Sequence, residues 1–377
     1  MHGSAQTACP GTPCDSTVSQ WAAMGANCSM CVARDRAVEH AEHHRHRGKC
    51  QLKQHQSKVG AALVKSSGDG SRTLLVNRGG QSPSEDYKFV QRAAQSGAFG
   101  VVRMVRSKRT GEACALKKVK KSRQNDRYLP SEIDINLSID HPNIVRLYDV
   151  FEDMSAVYMV FEICRGGDVL DRLTEEGNFN EADAVCVLAQ LLWAVNYLHA
   201  KGVAHRDLKL ENMLLTDRFA ELSRNTVKLI DFGFAARFGV EIAKMTTAVG
   251  SAYYVAPEVL CRRSYDEKCD IWSSGVILYI LLSSFPPFYG QSEYATLKSV
   301  KVQPLRFSAN IWDVVSQETK DIIKSMLERN VEKRFSAEQA LVDLETIKAA
   351  TKVRVGKACQ PQLDTQRQCQ QQQQQQQ

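Results

Sequence analysis

The chain has 377 residues, 43% of them hydrophobic, enough apolar material for a large core and one or two domains of roughly 100–200 residues each. Its formal net charge of +7 comes from the two ends while residues 87–345 are balanced, which argues against a nucleic-acid-binding face on the folded part. Of the twelve cysteines seven lie in the end segments and the other five are scattered singly at no framework spacing, which argues against a disulfide scaffold and leads us to expect reduced thiols in an intracellular, cytoplasmic protein, with a nuclear one not excluded.

Along the chain, residues 1–86 are rich in Ser, Gly, Gln, Cys and His with little apolar periodicity and read as a disordered tail. Within it, "CSMC" (Cys28, Cys31) and the His40, His43, His44, His46 run offer zinc-ligand types, but the second pair lacks a defined spacing and a flanking core. Next, "VVRMVRSKRTGEACALKKV" shows two apolar runs about a Thr-Gly turn, the pattern of a β-hairpin. Leu188, Leu191, Leu192, Val195 and Leu198 recur at helical spacing and stop before Gly202. A second apolar helix is expected between Asp270 and Pro286. Its "GVILYILL" is far shorter than the ~18 residues of a membrane span, and no membrane partner is expected. Ser336 with Gln339 has the spacing of a capping box for a last helix. Residues 346–377 end in a Gln run and read as a second disordered tail. Strands precede helices, which implies an α+β fold with a small β-rich lobe at about 87–161 and a larger helical lobe at about 165–345.

Polar words interrupt these apolar segments. In "QSGAFGVV", Gly97 and Gly100 would let backbone N–H groups approach a phosphate with no Cβ in the way. Lys117 of "CALK" would place an ammonium on phosphates, held by Glu132 of "SEIDI" on a predicted helix. Asn212 of "HRDLKLEN" and Asp231 of "DFG" are hard oxygen ligands of the kind Mg²⁺ prefers. Asp207 would accept a hydroxyl proton, and Lys209 would stabilise charge on a transferred phosphoryl group.

In order and spacing, Gly97/Gly100, Lys117, Glu132, His205-Arg206-Asp207, Asn212, Asp231-Phe232-Gly233, Ala256-Pro257-Glu258 and Arg334 resemble the eukaryotic protein kinase signature set. The resemblance covers about 260 residues and implies a two-lobed kinase fold, ATP and Mg²⁺ as cofactors, and protein substrates. "KLEN" favours Ser/Thr over Tyr, and "HPNIVRLYDVFED" and "FEICRGGD" resemble the calmodulin-dependent and calcium-dependent kinase group. By the same resemblance Val102, Ala115, Glu162, Cys164 and Leu214 join Gly97, Gly100, Lys117, Glu132 and Asp231 around the nucleotide. Asp168 and Glu211 would bind an Arg three residues before the target hydroxyl, unless Asp168 merely caps a helix and Glu211 faces solvent. Phe234 would favour Ser as acceptor. Thr247 stands where related kinases are phosphorylated by an upstream kinase, with Arg206 as the phosphate's partner. The sequence contains no EF-hand loop, so no direct calcium binding is expected.

Three departures qualify the resemblance. Gln95 replaces the first loop glycine, Asn136 stands where an apolar residue stacks on the Phe of "DFG", and Pro130 is expected in the first turn of its helix. Gln95 and Asn136 motivate a second reading, a pseudokinase or scaffold module without efficient turnover. A third makes the Cys/His-rich and Gln-rich tails the working parts.

Overall fold

The computed structural model describes residues 75–351 apart from 80–81, 91–94, 98–99, 123–124, 240–244, 246–248, 262–264 and 309. The zinc-ligand candidates, the Gln run and Thr247 therefore lie outside the described residues.

The expected hairpin is strand β4 (Gly100–Ser107) and strand β5 (Ala113–Lys120), paired antiparallel with Val102 opposite Lys117 and Met104 opposite Ala115. β5 pairs in turn with β7 (Ala156–Glu162), and β7 with β6 (Leu147–Glu152). Short strands β2 (Tyr87–Phe89) and β3 (Gln95–Gly97) both pair with β4. Successive residues point to opposite faces of a strand, so two apolar clusters form. Cys114, Leu116, Phe151 and Val160 pack with Tyr87 and Val105 on one face. Val119, Val150, Val157 and Met159 pack on the other with Leu129 of helix α2 (Asn125–Ser138).

Two findings differ from the sequence expectation. Described structure begins before residue 87: strand β1 (Leu75–Gly79) runs parallel to β6, and helix α1 (Pro83–Asp86) precedes β2. A five-residue strand gains its hydrogen bonds from a partner some seventy residues away, and such pairing leaves no local periodicity to read. Pro130 is not in the first turn, because α2 starts at Asn125; its ring removes one donor from the helix interior.

In the large lobe, helix α3 (Val169–Glu176) is followed by helix α4 (Glu181–Ala200). α4 is long and apolar enough by composition to cross a membrane, yet Ala184 to Val195 and Leu198 are all buried in this lobe's core. The second apolar helix, α5 (Lys268–Ser283), is buried from Cys269 to Ser283 and ends at Ser284, whose φ of 57° stops the helix. It packs on α4 and on α7 (Gln317–Met326), so closely that a Cβ on Gly275 would lie 2.9 Å from Met326 Cβ. Helix α6 (Glu293–Val302) lies between them in the chain. The last helix, α8 (Ala337–Thr351), starts on the expected capping box: Gln339 N–H donates to Ser336 Oγ at 3.2 Å and Ser336 N–H to Gln339 Oε1 at 2.8 Å. It runs past residue 345 because Ile347 still fills the core. Among the described cysteines, Cys164, Cys261 and Cys269 are free thiols.

Candidate active site

The polar words converge on two small ribbons of the large lobe, β8 (Val203–Ala204) with β11 (Ala236–Arg237) and β9 (Met213–Leu215) with β10 (Val227–Leu229). Ile230 N–H donates to the Asn212 carbonyl at 2.9 Å, which sets the residue before Asp231 beside Asn212 although eighteen positions separate them. Two of the three described non-glycine residues with positive φ are here, Arg206 at 68° and Asp231 at 65°. Such backbone persists where surroundings over-determine it, and it clusters at functional sites.

Asp207 is 4% exposed and its carboxylate is engaged on both oxygens. Oδ2 pairs with Lys209 Nζ at 3.0 Å and accepts from Asn212 Nδ2 at 3.2 Å; Oδ1 accepts from Ser251 Oγ at 3.1 Å. Lys209 Nζ also donates to Ser251 Oγ at 3.3 Å. Burial would lower the Lys209 pKa, but the carboxylates of Asp207 and Glu211 outweigh it and hold the ammonium charged.

Lys117, at 2.8 Å from Glu132 Oε1 and 3.4 Å from Asp231 Oδ1, joins the small lobe to the large one. Burial opposes its charge; Asp231 and Glu132 more than compensate, and its pKa is raised. Burial likewise works against the Asp231 carboxylate, yet Lys117, His205 and the Gly233 N–H hold its pKa below the usual carboxylate range. A Cβ on Gly233 would stand 3.3 Å from Asp231 Oδ1, so glycine keeps this corner open. Phe232 is 1% exposed and packs edge-on against the His205 ring at 5.0 Å.

Gly97 and Gly100 face each other across the β3–β4 pairing, where Gln95 extends β3 opposite Val102. Ala115 lies between Met104 and Phe161 on the neighbouring strands. Glu162 turns its carboxylate to Lys228 Nζ at 2.8 Å, and its N–H donates to the Arg146 carbonyl at 2.9 Å. Cys164 is half-buried, and burial with the nearby Glu162 charge pushes its thiol up to about 12. Leu214 bridges to Asp168 through the main chain. Asn136 is buried and satisfied within its helix, its amide donating to the Glu132 carbonyl at 2.8 Å.

Two contributors carried no role in the sequence reading. Ser251 ties Asp207 to Lys209; the only sequence signal is its place seven residues before Glu258 in "GSAYYVAPE". Asp270, fully buried, accepts from His205 N–H and Arg206 N–H at 2.8 Å each and from His199 Nε2 at 2.9 Å, fixing the residues beside Asp207. Arg206 itself donates through Nε to the Phe234 carbonyl at 2.6 Å and through Nη1 to Tyr265 Oη at 3.1 Å.

The glycine-flanked hairpin and the Lys117–Glu132 pair lie in the small lobe, while Asp207, Lys209 and Asn212 lie in the helical lobe, which defines a two-lobed α+β class of protein. The model of the protein kinase domain family matches residues 92–343, and the chain belongs to that family. It is 40% identical over 259 residues to calcium-dependent protein kinase 5 of Plasmodium falciparum (isolate 3D7), covering 68% of this chain and 45% of that protein. It is 39% identical over 256 residues to calcium-dependent protein kinase 3 of Plasmodium berghei (strain Anka), covering 68% and 46%. Calcium-dependent protein kinase 4 of the same species matches at 38% over 301 residues, 78% of this chain and 56% of that protein. The chain thus spans about half the length of the curated relatives it matches.

Proposed function

We propose that the chain transfers the γ-phosphate of ATP to serine or threonine hydroxyls of protein substrates and selects those with Arg three residues before the acceptor. The carrying observation is the buried Asp207 carboxylate held by Ser251, Asn212 and Lys209. In this reading Asp207 orients the acceptor hydroxyl and takes its proton, while Lys209 stands by the charge that develops on the transferred group. Lys117, fixed by Glu132, steadies the remaining phosphates.

The donor set fits Mg²⁺. Asn212 commits its Nδ2 to Asp207 and Asp231 commits Oδ1 to Lys117 and Gly233, which leaves Asn212 Oδ1 and Asp231 Oδ2 with no described hydrogen bond. Among the described residues there is no cluster of three or more His, Cys, Asp or Glu side chains, so the protein offers two hard oxygens rather than a cage. That suits an ion that keeps several waters and shares phosphate oxygens. When bound, the ion neutralises phosphate charge.

The Arg preference rests on Glu211 and Asp168. Glu211 Oε2 is buried with no hydrogen-bond partner, and burial raises the carboxyl's pKa. Asp168 caps α3 by accepting from Asp171 N–H at 2.8 Å; burial raises its pKa too. An incoming guanidinium would answer both deficits. Replacing either residue by Ala is expected to lower kcat/KM on the order of tenfold for Arg-x-x-Ser peptides and little for peptides without the Arg, since a charge-assisted bond contributes roughly 1.5–3 kcal/mol. The preference should also fade as pH falls through the raised carboxyl pKa values, because the acids lose their charge there. Phe234 favours Ser over Thr as acceptor. A peptide library with ATP tests the whole reading: equal rates at the Arg position remove the selectivity, and no transfer to any peptide leaves a nucleotide- or partner-binding module.

A further inference from the structure

Helix α2 carries Glu132, but its own sequence holds it weakly. Pro130 removes an interior donor, and no basic residue lies in the last turn to meet the carbonyl end of the helix. A cation arrives instead from the other lobe. Arg237 Nη2 lies 2.8 Å from Asp134 Oδ2 and 3.2 Å from Ser138 Oγ, with Nε 3.3 Å from the same carboxylate oxygen. Asp134 and Ser138, four residues apart, share a helix face and are met by one guanidinium. Glu132, two residues before Asp134, points about 200° around the helix, so Lys117 and Arg237 grip α2 from nearly opposite sides.

The anchor for Arg237 is rigid. β11 pairs with β8, Phe238 N–H donates to the Gly202 carbonyl at 2.8 Å, and the Phe238 ring meets His199 edge-on at 6.1 Å. His199 is bonded to Asp270, which holds the two backbone N–H groups just before Asp207. A continuous set of contacts therefore runs from the residues flanking Asp207 to the helix that bears Glu132.

We propose that Arg237 is a positioning residue that latches β11 to α2 through Asp134 and Ser138 and so keeps Glu132 on Lys117. Its link to catalysis rests on the phosphoryl-transfer reading above; the latch itself does not. Arg237 and Asp134 side chains are 38% and 69% exposed, so losing the attraction alone changes the helix equilibrium only a few-fold, and charge reversal is the sharper probe.

The test compares the full chain with Asp134→Arg, Arg237→Asp and the double swap, first by backbone hydrogen exchange across residues 125–138 without nucleotide, then by ATP and peptide kinetics. Each single variant is expected to exchange several-fold faster in α2 and to lose about ten-fold in kcat/KM for ATP with the peptide KM unchanged, and the double swap to return within about two-fold of the unaltered chain. Single variants that exchange like the unaltered chain, or a double swap no better than the worse single, overturn the latch. If the unaltered chain transfers no phosphate, the exchange measurement still decides the latch, and only the catalytic reading falls.

Discussion

Asp207→Asn is expected to lower kcat by about 10²-fold or more while Mg-ATP affinity changes little. The amide fills the same space but carries no charge and accepts through one oxygen only. It would lose the 3.0 Å pair with Lys209 and turn an NH₂ toward either the Ser251 hydroxyl or the Asn212 amide, both of which donate to Asp207 here. No other carboxylate touches these three donors in the described contacts, so nothing nearby takes over proton acceptance. In the proposed function nucleotide contacts fall to other groups, Lys117, Asp231 and the glycine hairpin, so binding should persist. Steady-state kinetics with an Arg-x-x-Ser peptide and a direct ATP-binding measurement separate the two effects. Turnover within three-fold of the unaltered chain would sink the phosphoryl-transfer reading.

Arg334→Ala is expected to destabilise the fold by about 3–5 kcal/mol, the usual cost of leaving a buried charge without its partner. The Arg334 side chain is 0% exposed and forms a two-pronged pair with Glu258, Nη1 to Oε1 at 2.6 Å and Nη2 to Oε2 at 2.8 Å. It also donates to the Glu328 and Lys268 carbonyls at 2.8 and 2.9 Å and lies 5.2 Å from the Trp272 ring centre. Its removal strands one carboxylate and two carbonyls and opens a void beside Trp272. For a folded unit of this size the corresponding fall in Tm is roughly 6–20 °C. Arg334→Lys, which keeps the charge but lacks the planar fork, should fall between the two and remains measurable if the Ala variant does not fold. Denaturant unfolding of the Lys variant indistinguishable from the unaltered chain would show that the planar fork adds no stability beyond the charge.

The candidate site was legible wherever its chemistry lies in short words. "HRDLKLEN" puts several oxygen and nitrogen groups within a few residues, so its local backbone delivers them together, and Asp231 of "DFG", Lys117, Glu132 and Arg334 could be matched from order and spacing. Ser251 and Asp270 could not be given roles in that way: each reaches Asp207 or its neighbours over 44 to 65 positions, and an isolated Ser or Asp in a sequence has many local explanations. Asp168 shows the limit from the other side, since the same carboxylate caps α3 and, in the proposed function, meets a substrate cation, and both readings fit one residue.

By itself, the sequence determined the elements whose causes are local: the hairpin about its Thr-Gly turn, the apolar helices α4 and α5, the capping box at Ser336, and the order of the catalytic words. Tertiary structure alone decided what depends on partners far along the chain. β1 became a strand because β6 offers an edge, Pro130 fell inside α2 because the helix starts earlier than its apolar pattern suggests, and Arg237 met Asp134 across 103 positions. The division follows from the range of the forces involved: turn, cap and periodicity preferences act within a few residues, whereas sheet edges, ion pairs and buried charges take their partners from whatever the folded core brings alongside.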